Sequence, residues 1–307
     1  MNKMNNILNI KNYNVLELIN TGAFGALYLG ENKRTGEKVA IKVEKTEAGS
    51  IKHETQMLQY LYEKGVRSIP PIYWYGMANT THKYPVVVLP YYNCNLAQYI
   101  QHTYLSAEQL GTLMCKMIQI MEEIHREFVI HRDIKPQNFM VKGANIYLID
   151  FGLSTFFIDG DVGEHVKDVS SNSMIGTPRY ASVNIHRGHR YSRRDDLISL
   201  GYMYVWLMGK GKCPWEPTPE DIQYVFSLCN AEENQNANAN AIMRINDKIN
   251  IRHERNLAML MNKEYWVFLH RCLLGSDHPI TQYLHYAYVL DFSAVPDYNK
   301  LRGFFIE

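Results

Sequence analysis

The feature that most limits the fold of this chain is a change in periodicity near residue 91. Before it, short segments alternate apolar and polar residues: "YNVLELIN" (13–20), "ALYLGEN" (26–32), "EKVAIKVE" (37–44) and "YPVVVL" (84–89). Alternation of period two marks strands that bury one face. One helical stretch, about residues 50–64, interrupts them. Beyond 91 the apolar residues recur every three or four positions. "SAEQLGTLMCKMIQIMEEIHREF" opens with a capping pair, Ser106 and Gln109. It then sets Leu110, Leu113, Met114, Met117, Met121 and Ile124 at helical spacing. A second helix runs through "DDLISLGYMYVWLMGKG", and "NFMV" and "IYLID" make a hairpin around Lys142-Gly143. A strand-rich part followed by a helical part predicts an α+β molecule of two lobes, 13–90 and 91–305, with a cleft between them.

Composition excludes several classes of function. The 307 residues carry a net charge of only +1, so no bulk attraction to nucleic acid or membrane is expected. Cys94, Cys115, Cys213, Cys229 and Cys272 are scattered without a CxxC pair, which gives neither a zinc site nor a disulfide frame. No apolar run approaches the roughly 18 residues of a membrane span. "MNKMNNILNIKN" is a poor signal peptide, and "LRGFFIE" carries no lipidation box. The expectation is an intracellular, cytoplasmic or nuclear monomer. "NAEENQNANANAIMRIND" (230–247) is Asn/Ala-rich low complexity and is assigned no chemistry.

Four charged residues stand where charge is costly. Lys42 shares a strand face with Ala40, opposite Val39, Ile41 and Val43, beside a turn built on Gly22 and Gly25. Alone, that turn fits any hairpin; its exposed backbone N–H groups also suit a phosphate. In the helix that follows, Ile51, Leu58 and Tyr62 mark an apolar stripe, and Glu54 lies on it. An inward carboxylate needs a cation, and Lys42 is the natural one. Asp133 lies between Arg132 and Lys135, and Asp150 closes the run Ile146-Tyr147-Leu148-Ile149. A carboxylate at the end of an apolar strand calls for a cation or a strong donor.

These residues carry a family resemblance. Gly22-x-x-Gly25, Val39-Ala-Ile-Lys42, Glu54, His131-Arg-Asp133-x-Lys135-x-x-Asn138 and Asp150-Phe-Gly152 resemble the eukaryotic protein kinases. "GTPRYASVNIH" (176–186), "SRRDDLISLGY" (192–202) and "PDYNKLRGFF" (296–305) resemble the casein kinase 1 group. The resemblance covers residues 13–305 and implies the two-lobed kinase fold, with ATP and Mg2+ bound in the cleft. By its terms Asn138 and Asp150 hold the metal. Lys42, held by Glu54, meets the α- and β-phosphates. Asp133 orients the substrate hydroxyl and takes its proton, and Lys135 stabilises charge on the γ-phosphoryl group. Asn20, Gly22, Gly25, Leu27, Ala40 and Leu153 surround the nucleotide, with Leu89 as gatekeeper and Pro90 to Tyr92 as hinge. Tyr92 supplies the N–H that Pro90 lacks.

The same resemblance addresses substrate and regulation. Asp-x-Lys-x-x-Asn and Thr177 resemble the Ser/Thr-directed kinases, so protein Ser/Thr hydroxyls are the expected acceptors. Arg179 matches a residue of an anion pocket, which implies a modest preference for acidic or pre-phosphorylated substrates. Two departures stand out. Asn20 replaces the first glycine of the phosphate loop, and the lysine-rich stretch expected after "CPWEP" (213–217) is absent. Arg132 is a candidate receiver for a phosphate on Ser170, Ser171 or Ser173, although the group implies activity without it. A binding scaffold without phosphotransfer is the competing reading, opposed by the presence of Lys42, Asp133 and Asp150.

Overall fold

The computed structural model describes residues 10–22, 25–44, 49–78, 84–170, 174–224, 254–267 and 274–306. The segment 230–247, Ser171 and Ser173 lie outside them. The chain divides into two compact units that interleave along the sequence. Among the described residues, one takes those up to Tyr104 with Gln119–Arg132 and Pro136–Glu164. The other takes Leu105–Ile118, Asp133–Lys135 and those from His165 on. The first unit therefore reaches well beyond residue 90, because strands from the middle of the chain pack within it.

The first unit is built on a five-stranded antiparallel sheet in the order β1-β2-β3-β5-β4. Its strands are β1 (Tyr13–Thr21), β2 (Gly25–Asn32), β3 (Lys38–Glu44), β4 (Trp74–Ala78) and β5 (Tyr84–Pro90). β4, "WYGMA", joins the four strands expected from the alternation. Val39, Ile41 and Val43 are buried on one face of β3, as their spacing requires. Gly22 N–H closes the β1–β2 turn on Gly25 O at 2.9 Å. Gly25 is obligatory on packing grounds, since a Cβ there would lie 2.2 Å from Val43 O.

Helix α1 (Ser50–Glu63) lies against this sheet. It buries Ile51, Glu54, Thr55, Met57, Leu58 and Leu61. Tyr62 is not part of that stripe. It is 40 % exposed, and the Arg67 guanidinium covers its ring at 4.0 Å. Leu61, one residue earlier, takes the inward position, because an aromatic ring with a polar tip tolerates a half-exposed site and a leucine gains more from burial. The start of α1 has no side-chain cap of its own. Instead the buried Glu44 carboxylate, from the end of β3, accepts Ser50 N–H at 2.8 Å, Ser50 Oγ–H at 2.9 Å and Ile51 N–H at 3.3 Å. This fastens the helix to the strand that carries Lys42.

Smaller strands complete the unit: β6 (Cys94–Asn95), β7 (Val129–Ile130), β8 (Phe139–Lys142), β9 (Asn145–Leu148) and β10 (Thr155–Phe156). β8 and β9 form the expected hairpin, with Gly143 at φ 60° in its turn. Helix α2 (Leu96–His102) is short, whereas α3 (Ala107–Arg126) is long and buries Met114, Met117, Ile118, Met121 and Ile124. The capping pair forms as read: Gln109 N–H donates to Ser106 Oγ at 3.2 Å, and Ser106 N–H to Gln109 Oε1 at 2.9 Å.

In the second unit, α4 (Val183–His186) precedes α5 (Arg193–Met208), which is buried nearly all round. Its Asp195 is fully buried and accepts Ser182 Oγ–H at 2.6 Å, Ser192 N–H at 2.9 Å and Asn184 Nδ2–H at 3.2 Å. Trp215 packs between Tyr202 and Trp266, with ring centroids 4.6 and 4.9 Å away. No helix among the described residues is long and apolar enough to cross a membrane.

Removing the Glu44 carboxylate tests the β3–α1 fastening. Glu44→Ala leaves the first N–H groups of α1 without a buried acceptor, so a loss of about 1–2 kcal/mol is expected. Denaturant unfolding measures it; a wild-type midpoint would show that water caps the helix equally well.

Candidate active site

Within the first unit, β3 and α1 bring Lys42 and Glu54 together at 2.7 Å, as the two periodicities require. The Asp150 carboxylate lies 3.2 Å from the same ammonium. Burial works to lower the Lys42 pKa, but Glu54 and then Asp150 more than offset it, so the ammonium is held above its usual range. Burial raises the Glu54 carboxyl, opposed by Lys42 and by the Phe151 N–H. Glu54 is therefore a carboxylate only in company with its lysine.

Asp150 stands at φ 70°, a left-handed conformation uncommon outside glycine. The surroundings hold it there. Phe151 is fully buried against the His131 ring at 4.9 Å, and a His131 ring nitrogen meets Ile149 O at 3.0 Å. Ile149 N–H donates to Asn138 O at 2.9 Å, which ties the end of the apolar run to the residue expected to share its metal. Just beyond, Arg132 Nε donates to Leu153 O at 2.5 Å, and a His53 ring nitrogen meets Ser154 O at 2.8 Å. Arg132, read as a receiver for phosphate, thus binds a main-chain carbonyl. His53 was not singled out in the sequence. Its only signal is its place one residue before Glu54.

A cavity of about 680 Å3 opens over these groups, lined by Asn20, Gly22, Gly25, Leu27, Lys42, Glu54, Asp150 and Leu153 among others. Ala40, Leu89, Pro90 and Tyr92 are not among its lining residues. Ala40 shares the face of Lys42 and pairs with Leu89 across β3–β5, one step further along the sheet, and Val39 pairs with Pro90. Tyr92 stacks on Tyr147 with ring centroids 5.1 Å apart. The Asp150 side chain is 46 % exposed. Asp150 and Asn138, the residues the resemblance assigns to the metal, carry hard oxygen donors of the kind suited to Mg2+, not the imidazole or thiolate that a softer metal would take.

Within the second unit, the buried Asp133 is held by two donors. Lys135 Nζ lies 2.5 Å from its Oδ2, and Thr177 Oγ donates to Oδ1 at 2.7 Å. Lys135 also reaches Thr177 Oγ at 3.4 Å. A carboxylate fixed at both oxygens has its direction set before any substrate arrives.

Arg179 does not present the open guanidinium that an anion pocket needs. Its Nε and Nη2 donate to the two oxygens of Glu216 at 2.8 and 3.1 Å, and Arg255 reaches Glu216 Oε1 at 3.0 Å. The hydrogen bond from Arg179 is the main reason the Glu216 carboxyl is held below its ordinary range. The edge expected to face a substrate anion is occupied by a carboxylate 37 residues away in the chain. Glu216 could not be read as a partner, since nothing in the local pattern of "CPWEP" relates it to Arg179.

Residues 13–277 match the protein kinase domain. The chain is 28 % identical over 313 residues to casein kinase I homolog 1 of Schizosaccharomyces pombe, an alignment covering 99 % of this chain. It spans 62 % of the length of that relative. The α+β class and the resemblance to the casein kinase 1 group read from the motifs are both borne out. The chain belongs to the protein kinase family, with the likeness of the casein kinase 1 group.

Proposed function

We propose that the chain is an active Ser/Thr protein kinase of casein kinase 1 type, which moves the ATP γ-phosphoryl group to a protein hydroxyl. The observation that carries this reading is the fixing of Asp133 by Lys135 and Thr177. In the reaction the substrate oxygen forms a bond to the γ-phosphorus as the bond to the ADP oxygen breaks, and the hydroxyl proton passes to Asp133. The task of Asp133 is to orient that hydroxyl and accept its proton. Lys135, an arm's length away, offsets charge gathering on the transferred group, while Thr177 keeps the carboxylate from rotating.

On the nucleotide side, Lys42 supplies positive charge to the α- and β-phosphates. Glu54 keeps its ammonium protonated and aimed. Gly22 and Gly25 allow the β1–β2 turn to come close to phosphate. Asp150 and Asn138 are the residues that would hold Mg2+, which when bound draws charge from the phosphate oxygens. No covalent intermediate is required, because these groups act by position and charge.

Two substitutions test the reading. Asp133→Asn keeps the shape of the site and removes the base, so nucleotide binding should persist while turnover on casein falls about 10²–10⁴-fold. Radiolabel transfer and a thermal-shift titration with Mg-ATP measure the two quantities. Nucleotide binding without transfer by the wild type would favour the scaffold reading instead.

Lys42→Met and Glu54→Gln should each reduce catalytic efficiency, and the double variant should be little worse than the poorer single one. Residues acting as one unit give non-additive losses. Losses that multiply would separate the two roles.

Substrate preference follows from Glu216. Any phosphate or carboxylate on the substrate must displace it from Arg179, so the wild type should discriminate weakly among peptides with phosphoserine, Asp or Ala three residues before the target. Glu216→Ala frees Arg179 and Arg255, and a preference of several-fold for the phosphopeptide should appear and weaken with salt. Equal discrimination by the two proteins would place any anion recognition elsewhere.

A further inference from the structure

Lys263 lies in the helical residues 254–267 of the second unit and is fully buried. No step of phosphotransfer calls on it. A buried ammonium is costly unless each of its hydrogens finds an acceptor. Two carbonyls accept from it, Pro178 O at 2.7 Å and Ala181 O at 2.6 Å, and His186 Nε2 lies 3.1 Å both from its Nζ and from Pro178 O. The rings of Tyr202 and Trp215 lie 4.9 and 6.0 Å from the charge. Burial, followed by the neighbouring Lys263, lowers the His186 pKa to about 3, opposed by its hydrogen bond to Pro178 O, and burial lowers the Lys263 amine well below its usual range. The two carbonyls and the imidazole all belong to one short stretch of chain, 178–186.

That stretch begins one residue after Thr177, which donates to Asp133. Its carbonyls are taken in turn. Tyr180 N–H and Ala181 N–H bond to Thr177 O at 3.0 and 3.1 Å, and Trp215 Nε1–H bonds to Arg179 O at 2.9 Å. Lys263 takes the carbonyls of Pro178 and Ala181, on either side of the one Trp215 takes. A methionine, one atom shorter, would fill most of the space and hold none of them.

We propose that Lys263 is a positioning residue for phosphotransfer, anchoring residues 177–181 so that Thr177 fixes Asp133 against rotation. This rests on the kinase reading above. The anchor acts on the hydroxyl side of the reaction and leaves the Lys42–Glu54–Asp150 group of the first unit alone.

The test compares wild type, Lys263→Met, Thr177→Val and the double variant, with Lys263→Gln carrying the comparison if the methionine variant does not fold. Expected are Mg-ATP affinity within about twofold of wild type and peptide turnover reduced on the order of 10- to 100-fold. The double variant should be no slower than the slower single one. Hydrogen exchange at the Tyr180 and Ala181 amides should quicken in the Lys263 variants. Wild-type turnover in a folded Lys263 variant, or losses that multiply with those of Thr177→Val, would overturn the assignment. If the wild type transfers no phosphoryl group, the kinase reading fails by itself, and the exchange measurement decides the anchor alone. Unchanged protection at the two amides would then reject it.

Discussion

The ion pair between Lys42 and Glu54 is the constraint on which the first unit turns. A glutamate 3 % exposed cannot remain a carboxylate by itself, and breaking such a pair from one side costs about 3–5 kcal/mol. The pair therefore acts as a rule about geometry. The α1 helix must lie where its fifth residue reaches the fifth residue of β3. Glu44 enforces the same relation from the other end, since its carboxylate caps α1 while its backbone belongs to β3. Strand and helix are fixed at two points, one of them the pair proposed to serve the nucleotide.

The second unit follows a similar rule with other chemistry. Asp195 is buried with hydroxyl, amide and main-chain donors, and Lys263 with carbonyl acceptors. Neither makes its principal contacts with an opposite charge, in contrast to Lys42 and Glu54. Dipoles can hold a buried charge when enough of them converge, and they also specify the backbone that supplies them. The segment from Thr177 to Ser192 is thus shaped by two buried ionisable side chains, one at the Pro178–Ala181 turn and one at the start of α5. Loops seldom have such support; one that must hold Thr177 against Asp133 gains from it.

Legibility in the sequence tracked the range of each interaction. Period two exposed β1, β2, β3 and β5, and period 3.6 put Glu54 on the buried face, so a contact across 12 residues could be foreseen. The Ser106–Gln109 cap and the turn at Gly143 are local and were equally plain. Tyr62 was misassigned because periodicity fixes a direction only to within about one residue on a helix, and Leu61 competes for the same direction. The β8–β9 hairpin was plain, but its membership of the first unit was not, and β6, β7 and β10 are each only two residues long and leave no pattern. Glu216 and Lys263 were hidden for another reason. Their partners lie 37 and 82 to 85 residues away, and an isolated Glu or Lys in an ordinary polar context reads as solvated.

The arrangement of acceptors around Lys42 suggests how the site is prepared for its substrate. An ammonium has three hydrogens. Glu54 takes one at 2.7 Å, and Asp150 takes a second in a longer contact of 3.2 Å. The shorter bond is to the residue that is buried, the longer to the one that is half exposed. If phosphate oxygens approach Lys42, the weaker contact is the one they can replace, and the carboxylate released is the one proposed to serve the metal. Glu54 has nowhere else to go. The same lysine would then keep one partner throughout and exchange the other for the nucleotide, so that the fixed contact sets position and the exchangeable one sets occupancy.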